Sequence, residues 1–280
     1  MTKYSKSDIQ ERWVSEKKEW KSIEDYLLFL KQKKAYQFSS EYCQDKYVLD
    51  YGCGSGYGTA RLSNYAKKVI GVDISEEVIE YCTRTYRLPN LSFQKIYPNY
   101  SLPFEDKLFD VIVSFQVIEH LPNVQRYLFE LKRVLKDRGT LFITTPNRVH
   151  RLLPFQKPWN PEHIREYSLR RLNKELTPVF KKVKIMGVYG TDEINAIECK
   201  RVRQTPFKAW VYQPGKRALR VVLPTSVVSF LRSLKRKAFS RSKIVPGSTV
   251  GVDLLSKYSL DDFTVEDSVD KCLDFLAICY

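Results

Sequence analysis

The chain has 280 residues, of which 43% are hydrophobic and 28% charged, and its formal net charge is +15. This composition is typical of a globular protein with a full core, and it excludes a disordered chain. No apolar run approaches the roughly 20 residues that a transmembrane helix needs, and the first residues lack the apolar centre of a secretory signal. We therefore expect a cytoplasmic protein whose six cysteines, none in a CxxC pair, are reduced thiols.

The first part of the chain predicts helices and then a ligand-binding turn. Apolar and aromatic residues with helical spacing over 8–40 predict one or two helices. The segment Tyr-Val-Leu-Asp-Tyr-Gly-Cys-Gly-Ser-Gly-Tyr-Gly over 47–58 predicts a buried strand and a turn whose glycines let the backbone approach a ligand. A helix follows from Thr59, and a second strand ends at Asp73, whose carboxylate suits the two hydroxyls of a ribose. Together these features predict half of a nucleoside-binding α/β fold.

Strands and helices alternate along most of the remaining chain. Ser75, followed by two glutamates, predicts the start of a helix. A further helix over 123–135 is expected to end at a turn over 137–139, where a glycine suits the change of direction. Such alternation predicts a mostly parallel sheet with helices on both faces. Further strands are predicted over 91–94, 109–115, 140–145, 183–189 and 272–279.

A long interruption separates the last two predicted strands and contains the excess positive charge. Residues 200–243 hold 13 Lys or Arg and no Asp or Glu, which leaves 34 of the 47 basic residues against 32 acidic ones elsewhere. Three interpretations stay open: a helix that binds an anionic membrane surface, a site for a phosphorylated acceptor, or a helical embellishment with a solvated basic face. The apolar face of that helix would comprise Val227, Val228, Phe230, Leu231 and Leu234.

Four segments in order resemble the motifs of class I S-adenosylmethionine-dependent methyltransferases: 48–58, 69–75, 102–121 and 131–147. The resemblance implies an α/β fold, a Rossmann-like doubly wound seven-stranded sheet that is mostly parallel with an antiparallel last strand. It also implies S-adenosyl-L-methionine as the cofactor. The expected organisation is an N-terminal helical lid (1–45), a methyltransferase core (46–190), a basic helical insertion (191–260) and a closing strand (261–280).

The resemblance also implies which residues contact the cofactor. The amino-acid end is expected at Asp50 and the glycine turn, the ribose at Asp73, the adenine at Ile74, and the methionine at the end of the fourth strand. Two departures stand out: 94–97 lacks the acid that usually follows the third strand, and Gln116 replaces a frequent glutamate. The complete expected set is Asp50, Gly52, Cys53, Gly54, Gly56, Tyr57, Asp73, Ile74, Ser114, Phe115 and Gln116.

Methyl transfer to an alcohol needs a group that takes the hydroxyl proton, and histidine suits this near neutral pH. His120 follows the fourth strand, at the edge where ligands bind in such sheets. His163 lies in 160–168, which resembles a segment of small-molecule and glycan methyltransferases. For both, a purely structural role stays open: His120 as a cap of the next helix or in a bond with the backbone, His163 in a bond with Glu162 or Glu166. No metal is expected.

Other basic side chains near the predicted site rank below these two histidines. Arg148, Arg151 and Arg165 could hold a phosphate or carboxylate if they point inward, although solvation or pairing with acids is more usual. His150 is expected to be solvated on a surface loop.

The sequence therefore predicts an S-adenosylmethionine-dependent O-methyltransferase that acts on a sugar or small glycan, as in polysaccharide biosynthesis. RNA or protein methylation is the alternative. Nucleic acid is less expected as a substrate, because 114–117 lacks the Asn/Asp-Pro-Pro-Tyr pattern of enzymes that methylate base amines. Enzymes that methylate cytosine carbon need a nucleophilic cysteine near the fourth or fifth strand, and neither place has one. A non-catalytic, cofactor-binding partner subunit is the second alternative, which the intact Asp50 and Asp73 disfavour.

Overall fold

The computed structural model describes residues 20, 22–98, 101–152, 158, 160, 162–200 and 255–280. The first helix, α1 (Ile23–Ser40), begins at Ser22, whose hydroxyl oxygen accepts a hydrogen bond from the Asp25 N–H at 3.1 Å. Trp20 and Phe29 pack together with a ring-centroid distance of 5.1 Å, so Trp20 contributes to the packing of this helix. Residues 1–19, with the predicted helix around Trp13, and 201–254, with nearly all of the basic segment, lie outside the described residues.

The remaining elements alternate between strand and helix as the sequence predicts. In chain order they are β1 (Tyr47–Tyr51), α2 (Tyr57–Leu62), β2 (Lys68–Asp73), α3 (Glu76–Thr85), β3 (Leu91–Lys95), β4 (Phe109–Phe115), a 3-10 turn (Ile118–His120), α4 (Val124–Val134), β5 (Leu135–Pro146), α5 (Arg148–Arg151), α6 (Leu169–Leu176) and β6 (Val183–Gly190). Residues 192–200 are helical. The chain closes with a 3-10 turn (Leu260–Asp262), β7 (Phe263–Glu266) and β8 (Asp274–Cys279).

The strands form one mixed sheet in the order β3-β2-β1-β4-β5-β8-β6-β7. Strands β1 to β5 run parallel to one another. Strand β8 lies antiparallel between β5 and β6, so the antiparallel closing strand is confirmed. The prediction of seven strands is wrong. The eighth is β7, an antiparallel edge strand that pairs with β6. Its four residues alternate between buried and exposed and follow two aspartates, so it lacks the apolar run of a central strand.

Apolar clusters cover both faces of the sheet. One contains Leu131 of α4 and Leu172 of α6 against the sheet. The other contains Tyr36 of α1 with Val113 and Phe142 from the opposite face of the central strands. Because β4 is buried between these layers, its nearly continuous apolar sequence follows from the fold.

The junction between α4 and β5 differs from its prediction. The helix ends at Val134, and β5 begins at the next residue, so the turn expected over 137–139 does not end the helix. Gly139 instead lies within a register irregularity, between the pairs Phe109↔Leu135 and Val111↔Thr140. A Cβ at Gly139 would come within 2.6 Å of the Leu135 side chain, so close packing explains this glycine.

Two further predictions concern the whole chain. All six cysteines are free thiols, as expected. Within the described part of the chain, the structure contains no helix that combines the length and the apolar character needed to cross a bilayer.

Candidate cofactor and acceptor site

The predicted glycine turn follows β1 and is tied to β2. Gly52 and Cys53 donate their N–H groups to the Val72 carbonyl at 2.8 and 3.0 Å. Gly52, Gly54 and Gly56 all have positive φ angles, of 78°, 51° and 76°, which side-chain-bearing residues rarely adopt. A Cβ at Gly54 would meet nothing within 4 Å, so open space lies directly beside the backbone. The turn therefore offers room for a ligand in van der Waals contact with the main chain.

Asp73 lies beside this turn, at the end of β2. Its carboxylate accepts hydrogen bonds from the Gly54 N–H at 3.2 Å and the Ser75 N–H at 2.9 Å. Burial raises the pKa of Asp73, and these N–H bonds oppose the rise. The next residue, Ile74, is 60% exposed, which is unusual for so large an apolar side chain. The predicted ribose and adenine residues thus lie next to each other along the turn.

Asp50, at the end of β1, is fully buried. Its carboxylate accepts hydrogen bonds from the Thr59 hydroxyl at 2.7 Å and the Tyr36 hydroxyl at 3.1 Å. Burial raises the pKa of Asp50 to about 7, although both hydrogen bonds favour the charged form. Sequence reasoning missed Tyr36 and Thr59 as partners of this acid. The tight contact between Gly58 and the Tyr36 ring explains the fourth glycine of the motif, because a Cβ there would lie 2.0 Å from the ring.

Other members of the predicted cofactor set pack around the same turn. Cys53 is 5% exposed, and a hydrogen bond with Cys82, burial and the nearby carboxylates of Asp50 and Asp73 raise the pKa of its thiol. Tyr57 packs against Phe29 and Tyr36, with centroid distances of 5.1 and 5.5 Å, and its hydroxyl donates to Gln32 at 3.4 Å. The Tyr57 ring thus links α1 to the glycine turn.

The three residues at the end of β4 have different environments. The Ser114 hydroxyl is buried and accepts a hydrogen bond from the Tyr127 hydroxyl at 2.7 Å, so this side chain faces α4. Phe115 packs edge-on against Tyr36 at 4.8 Å on the opposite face. Gln116 has a φ of 57° and donates to Asp274 at 3.0 Å. The strand end therefore brings only the Gln116 side chain into a polar network.

That network centres on a buried ion pair that the sequence analysis missed. Lys31 of α1 and Asp274 of β8 lie 2.7 Å apart, with side chains 4% and 3% exposed. Because β8 is antiparallel, its first residue reaches the edge where the parallel strands end. A lone acid at the start of an otherwise apolar strand was the available signal, since such a residue needs a buried partner.

The two predicted histidines lie together beyond β4. Their rings are 4.8 Å apart and nearly perpendicular. The Nδ1 of His120 lies 3.0 Å from the Glu162 carbonyl oxygen, and the Nδ1 of His163 lies 3.1 Å from Glu166 Oε1. Both partners accept only, so in a neutral ring each Nδ1 carries the proton. The predicted bond between His163 and Glu166 and the backbone bond of His120 are thus both present.

Glu119 belongs to the same cluster and was not singled out from the sequence. It is fully buried, and its Oε2 accepts a hydrogen bond from the Thr145 hydroxyl at 3.1 Å. Burial raises the pKa of Glu119 to about 8, against the effect of that hydrogen bond. Among the described residues, its Oε1 has no hydrogen-bond partner. An acid between Ile118 and His120, in an apolar sequence, was the available signal.

The remaining basic candidates lie in different environments. Arg151 is 6% exposed, and its Nε lies 3.5 Å from Glu166, so it points inward and joins the histidine cluster. Arg165 donates to the Pro122 carbonyl at 3.0 Å. His150 lies on α5, so the prediction of a loop is wrong, and its Nε2 contacts the Lys271 carbonyl oxygen at a solvent-exposed position.

These residues fit the cofactor that the resemblance implies. The open space beside Gly54, the carboxylate of Asp73 and the exposed Ile74 lie in the order that an amino-acid end, a ribose and an adenine require. The histidine cluster follows β4. The described residues thus combine a candidate nucleoside site with a cluster of two histidines and a buried acid.

Comparison with known proteins agrees with this geometry. The family "Methyltransferase domain" matches residues 49–143. A protein of Mycolicibacterium smegmatis named "Probable S-adenosylmethionine-dependent methyltransferase" is 32% identical over 177 residues, which cover 62% of this chain and 68% of that protein. A ubiquinone biosynthesis O-methyltransferase of Rickettsia typhi is 30% identical over 43% of this chain and 52% of that protein. The chain therefore spans about two thirds of the first relative and half of the second.

A solved structure supports the fold. An S-adenosylmethionine-dependent methyltransferase of Thermotoga maritima superposes with a TM-score of 0.54, covers 98% of both chains and is 15% identical. The motif order, the glycine turn and the mycobacterial relative agree on the cofactor, S-adenosyl-L-methionine. The chain belongs to the S-adenosylmethionine-dependent methyltransferases.

Proposed function

We propose that the protein transfers a methyl group from S-adenosyl-L-methionine to a hydroxyl group of a sugar or small glycan. The observation that carries the proposal is the histidine cluster. His120 and His163 lie together beyond the end of β4, and an oxygen bound to each Nδ1 orients the ring. An alcohol is a poor nucleophile until its proton has an acceptor, so this cluster supplies what O-methylation needs.

The protein's own residues are proposed to bind and orient the cofactor and to take the proton of the acceptor hydroxyl. The carboxylate of Asp73 is proposed to accept hydrogen bonds from the ribose hydroxyls, and the turn at Gly54 to hold the amino-acid end against the backbone. When bound, the cofactor supplies a methyl group activated by a positively charged sulfur. His163, oriented by Glu166, or His120, oriented by the Glu162 carbonyl, then takes the proton of the acceptor hydroxyl.

The sugar assignment draws on two features of this chain. The segment 160–168 resembles one found in small-molecule and glycan methyltransferases, and it provides His163 to the cluster. Arg151 lies inward, beside Glu166, where a cation can help to hold an acidic or phosphorylated acceptor. The Rickettsia typhi relative favours a second candidate, in which the acceptor hydroxyl belongs to a quinone precursor.

A transfer assay with radiolabelled methyl donor tests the proposal on a panel of sugars, nucleotide sugars, phenols, RNA and protein. We expect label on a sugar hydroxyl, and we expect His120→Gln or His163→Gln to lower kcat/KM by about 10²-fold or more. His150→Gln is the matched control, since it removes the third histidine of the chain, which lies outside the cluster. Calorimetry should show cofactor affinity unchanged in all three variants.

Other outcomes would contradict the proposal in different ways. Label on a phenol would favour the quinone-type acceptor, and label on RNA or protein would favour those substrates. Full activity in both cluster variants would exclude a histidine as the proton acceptor. Cofactor binding without transfer to any acceptor would favour a non-catalytic partner subunit.

A membrane-directed role for residues 200–243 is a separate proposal, supported by their 13 basic residues and absence of acids. Flotation with vesicles tests it directly. We expect the full chain to bind vesicles that contain an anionic lipid but not neutral vesicles. A chain that lacks 200–243 should bind neither kind. Equal recovery from both kinds of vesicle would contradict an electrostatic attachment.

A further inference from the structure

Two large side chains are exposed just beyond the ends of β2 and β3. Ile74 follows β2 and is 60% exposed, and Tyr97 lies two residues after β3 and is 65% exposed. Single exposed apolar residues are common on protein surfaces, but two together at the ligand-binding edge of a sheet are typical of a binding surface. We propose that Tyr97 stacks on the adenine of the cofactor beside Ile74, and that this stacking replaces recognition of the adenine amine by an acid.

The pairing of β2 with β3 brings both residues to the same edge of the sheet. The parallel register pairs Asp73 with Lys95, and the Ile96 N–H continues it by donating to the Asp73 carbonyl at 2.9 Å. Ile74 and Tyr97 are the next residues of the two segments, and neighbouring strands lie only about 4.8 Å apart. Both side chains therefore leave the sheet beside the carboxylate that is proposed to bind the ribose.

The direction of the Tyr97 side chain follows from the alternation along β3. Ile96 is 3% exposed and belongs to the core, so the residues on either side of it point to the opposite face. Phe93 lies on that opposite face, because a Cβ at Gly56 would come within 3.0 Å of its ring. Lys95 Nζ lies 5.7 Å from the centroid of the Tyr97 ring, so these two side chains share a face. Tyr97 is therefore on the side of the sheet that carries the glycine turn.

The two acids at the start of α3 already have partners. Glu76 Oε2 lies 2.6 Å from Lys95 Nζ, and Glu77 accepts a hydrogen bond from the Ser75 hydroxyl at 3.0 Å. Residues 94–97 contain no acid, although the enzymes that the chain resembles usually carry one after their third strand. The described residues thus favour contact with the face of the adenine over recognition of its amine.

Stacking on one aromatic ring is strong enough to fill this role. A base that stacks on an aromatic side chain gains about 5- to 150-fold in affinity. Lys95 lies over one face of the Tyr97 ring, and a ring has a second face on which a base can stack. Stacking does not depend on the 6-amino group, whereas a site that hydrogen-bonds this group would reject an analogue without it. The two kinds of recognition therefore differ in what the site tolerates.

Calorimetric titration of the full chain with S-adenosylhomocysteine, the demethylated cofactor, tests the inference. Tyr97→Ala should weaken binding at least about fivefold, and Tyr97→Phe, which keeps the ring, should stay within about twofold of wild type. Tyr65→Ala is the matched control and should leave affinity unchanged. Tyr65 is also an exposed tyrosine, but its carbonyl accepts from the Asp45 N–H at 3.0 Å, near the start of β1 and so at the opposite edge of the sheet. Because no acceptor takes part, the result is independent of the proposed sugar substrate.

An analogue of S-adenosylhomocysteine with hydrogen in place of the 6-amino group tests the second part of the inference. Wild type should bind it within about threefold of the parent compound, because stacking needs only the ring system. Tyr97→Trp adds a direct optical signal. It should keep the affinity, and the emission that it adds to that of wild type should be quenched when S-adenosylhomocysteine binds.

Three results would overturn the inference. The first is unchanged affinity in Tyr97→Ala, or an equal loss in Tyr65→Ala. The second is binding of the analogue that is more than about tenfold weaker than that of the parent compound, since such a loss shows that a polar group recognises the amine. The third is emission from Tyr97→Trp that does not respond to the ligand, and this measurement decides if Tyr97→Ala fails to fold. Thermal unfolding reports folding in every variant, and the exposed position of Tyr97 predicts an unchanged Tm.

Discussion

Replacement of Asp50 by Asn should weaken cofactor binding in a way that depends on pH. Asp50 is fully buried, and burial raises its pKa to about 7. The ammonium group of the cofactor's amino-acid end, which is proposed to lie near Asp50, favours the ionised carboxylate. The ionised fraction is about 0.1 at pH 6 and about 0.75 at pH 7.5, so wild-type affinity should rise about eightfold over that interval. Asp50→Asn should lack this rise.

The same substitution should stabilise the protein without cofactor. Because the folded pKa lies above the ordinary value of 3.8, folding favours protonated Asp50, and that stability is lost as pH rises between about 4 and about 7. Linkage places the loss at about 2 kcal/mol at pH 5 and about 4 kcal/mol at pH 8. The stability of Asp50→Asn relative to wild type should therefore increase by about 2 kcal/mol between pH 5 and pH 8.

Calorimetric titration with the cofactor and urea unfolding at each pH measure the two effects. The ratio of wild-type to variant affinity is the informative quantity, since the cofactor's own amino group also titrates. Asp110→Asn is the matched control: burial alone would raise the pKa of Asp110, but Lys136 and the Tyr47 N–H lower it below its usual value. That control should show no pH-dependent change over the same range. An affinity ratio that is equal at pH 6 and pH 7.5 would refute the assigned role of Asp50.

Two further substitutions test the turn and the buried ion pair. Gly54→Ala should keep the fold at a strain cost of about 1–2 kcal/mol but weaken cofactor binding more than tenfold. Gly58→Ala should destabilise the protein by about 3 kcal/mol, because its Cβ would lie 2.0 Å from Tyr36. Calorimetry and thermal unfolding distinguish the two, and unchanged affinity in Gly54→Ala would contradict cofactor binding at the glycine turn. Lys31→Met should cost about 3–5 kcal/mol in urea unfolding, because it leaves Asp274 charged and buried, and the additional change Asp274→Leu should recover most of that loss. A double variant no more stable than the single one would show that the pair itself stabilises the fold.

The sequence predicts the cofactor half of the fold well, because its signals are local. The apolar run of β1, the alternate glycines and the acid at the end of β2 all fall within 27 residues, from 47 to 73, and each needs a particular backbone shape or burial. Positive φ angles at Gly52, Gly54 and Gly56 confirm the reason for three of the glycines. The fourth, Gly58, makes room for Tyr36, a contact that no short motif contains.

The buried ion pair and the histidine cluster were predicted less completely, because their contacts join distant segments. Asp274 meets Lys31 across 243 positions of sequence, and His163 meets His120 through a segment whose path no periodicity gives. Edge strand β7 was missed for a related reason: only its pairing with β6 makes it a strand. The nature of each residue was visible, but its partner depended on tertiary packing.

The position of the buried acids explains how one edge of the sheet can serve a positively charged cofactor. Asp50 ends a parallel strand and Asp274 begins the antiparallel β8, so opposite chain directions bring both carboxylates to the same edge. Lys31 neutralises Asp274, whereas the partners of Asp50 within the described residues are the hydroxyls of Thr59 and Tyr36. Hydroxyls can stabilise a negative charge but cannot cancel it, so the site without cofactor holds a carboxyl group that favours protonation near neutral pH. A cation that binds there would offset the cost of burying the charged carboxylate. Ionised Asp50 should therefore destabilise the protein without cofactor and stabilise the protein with cofactor bound.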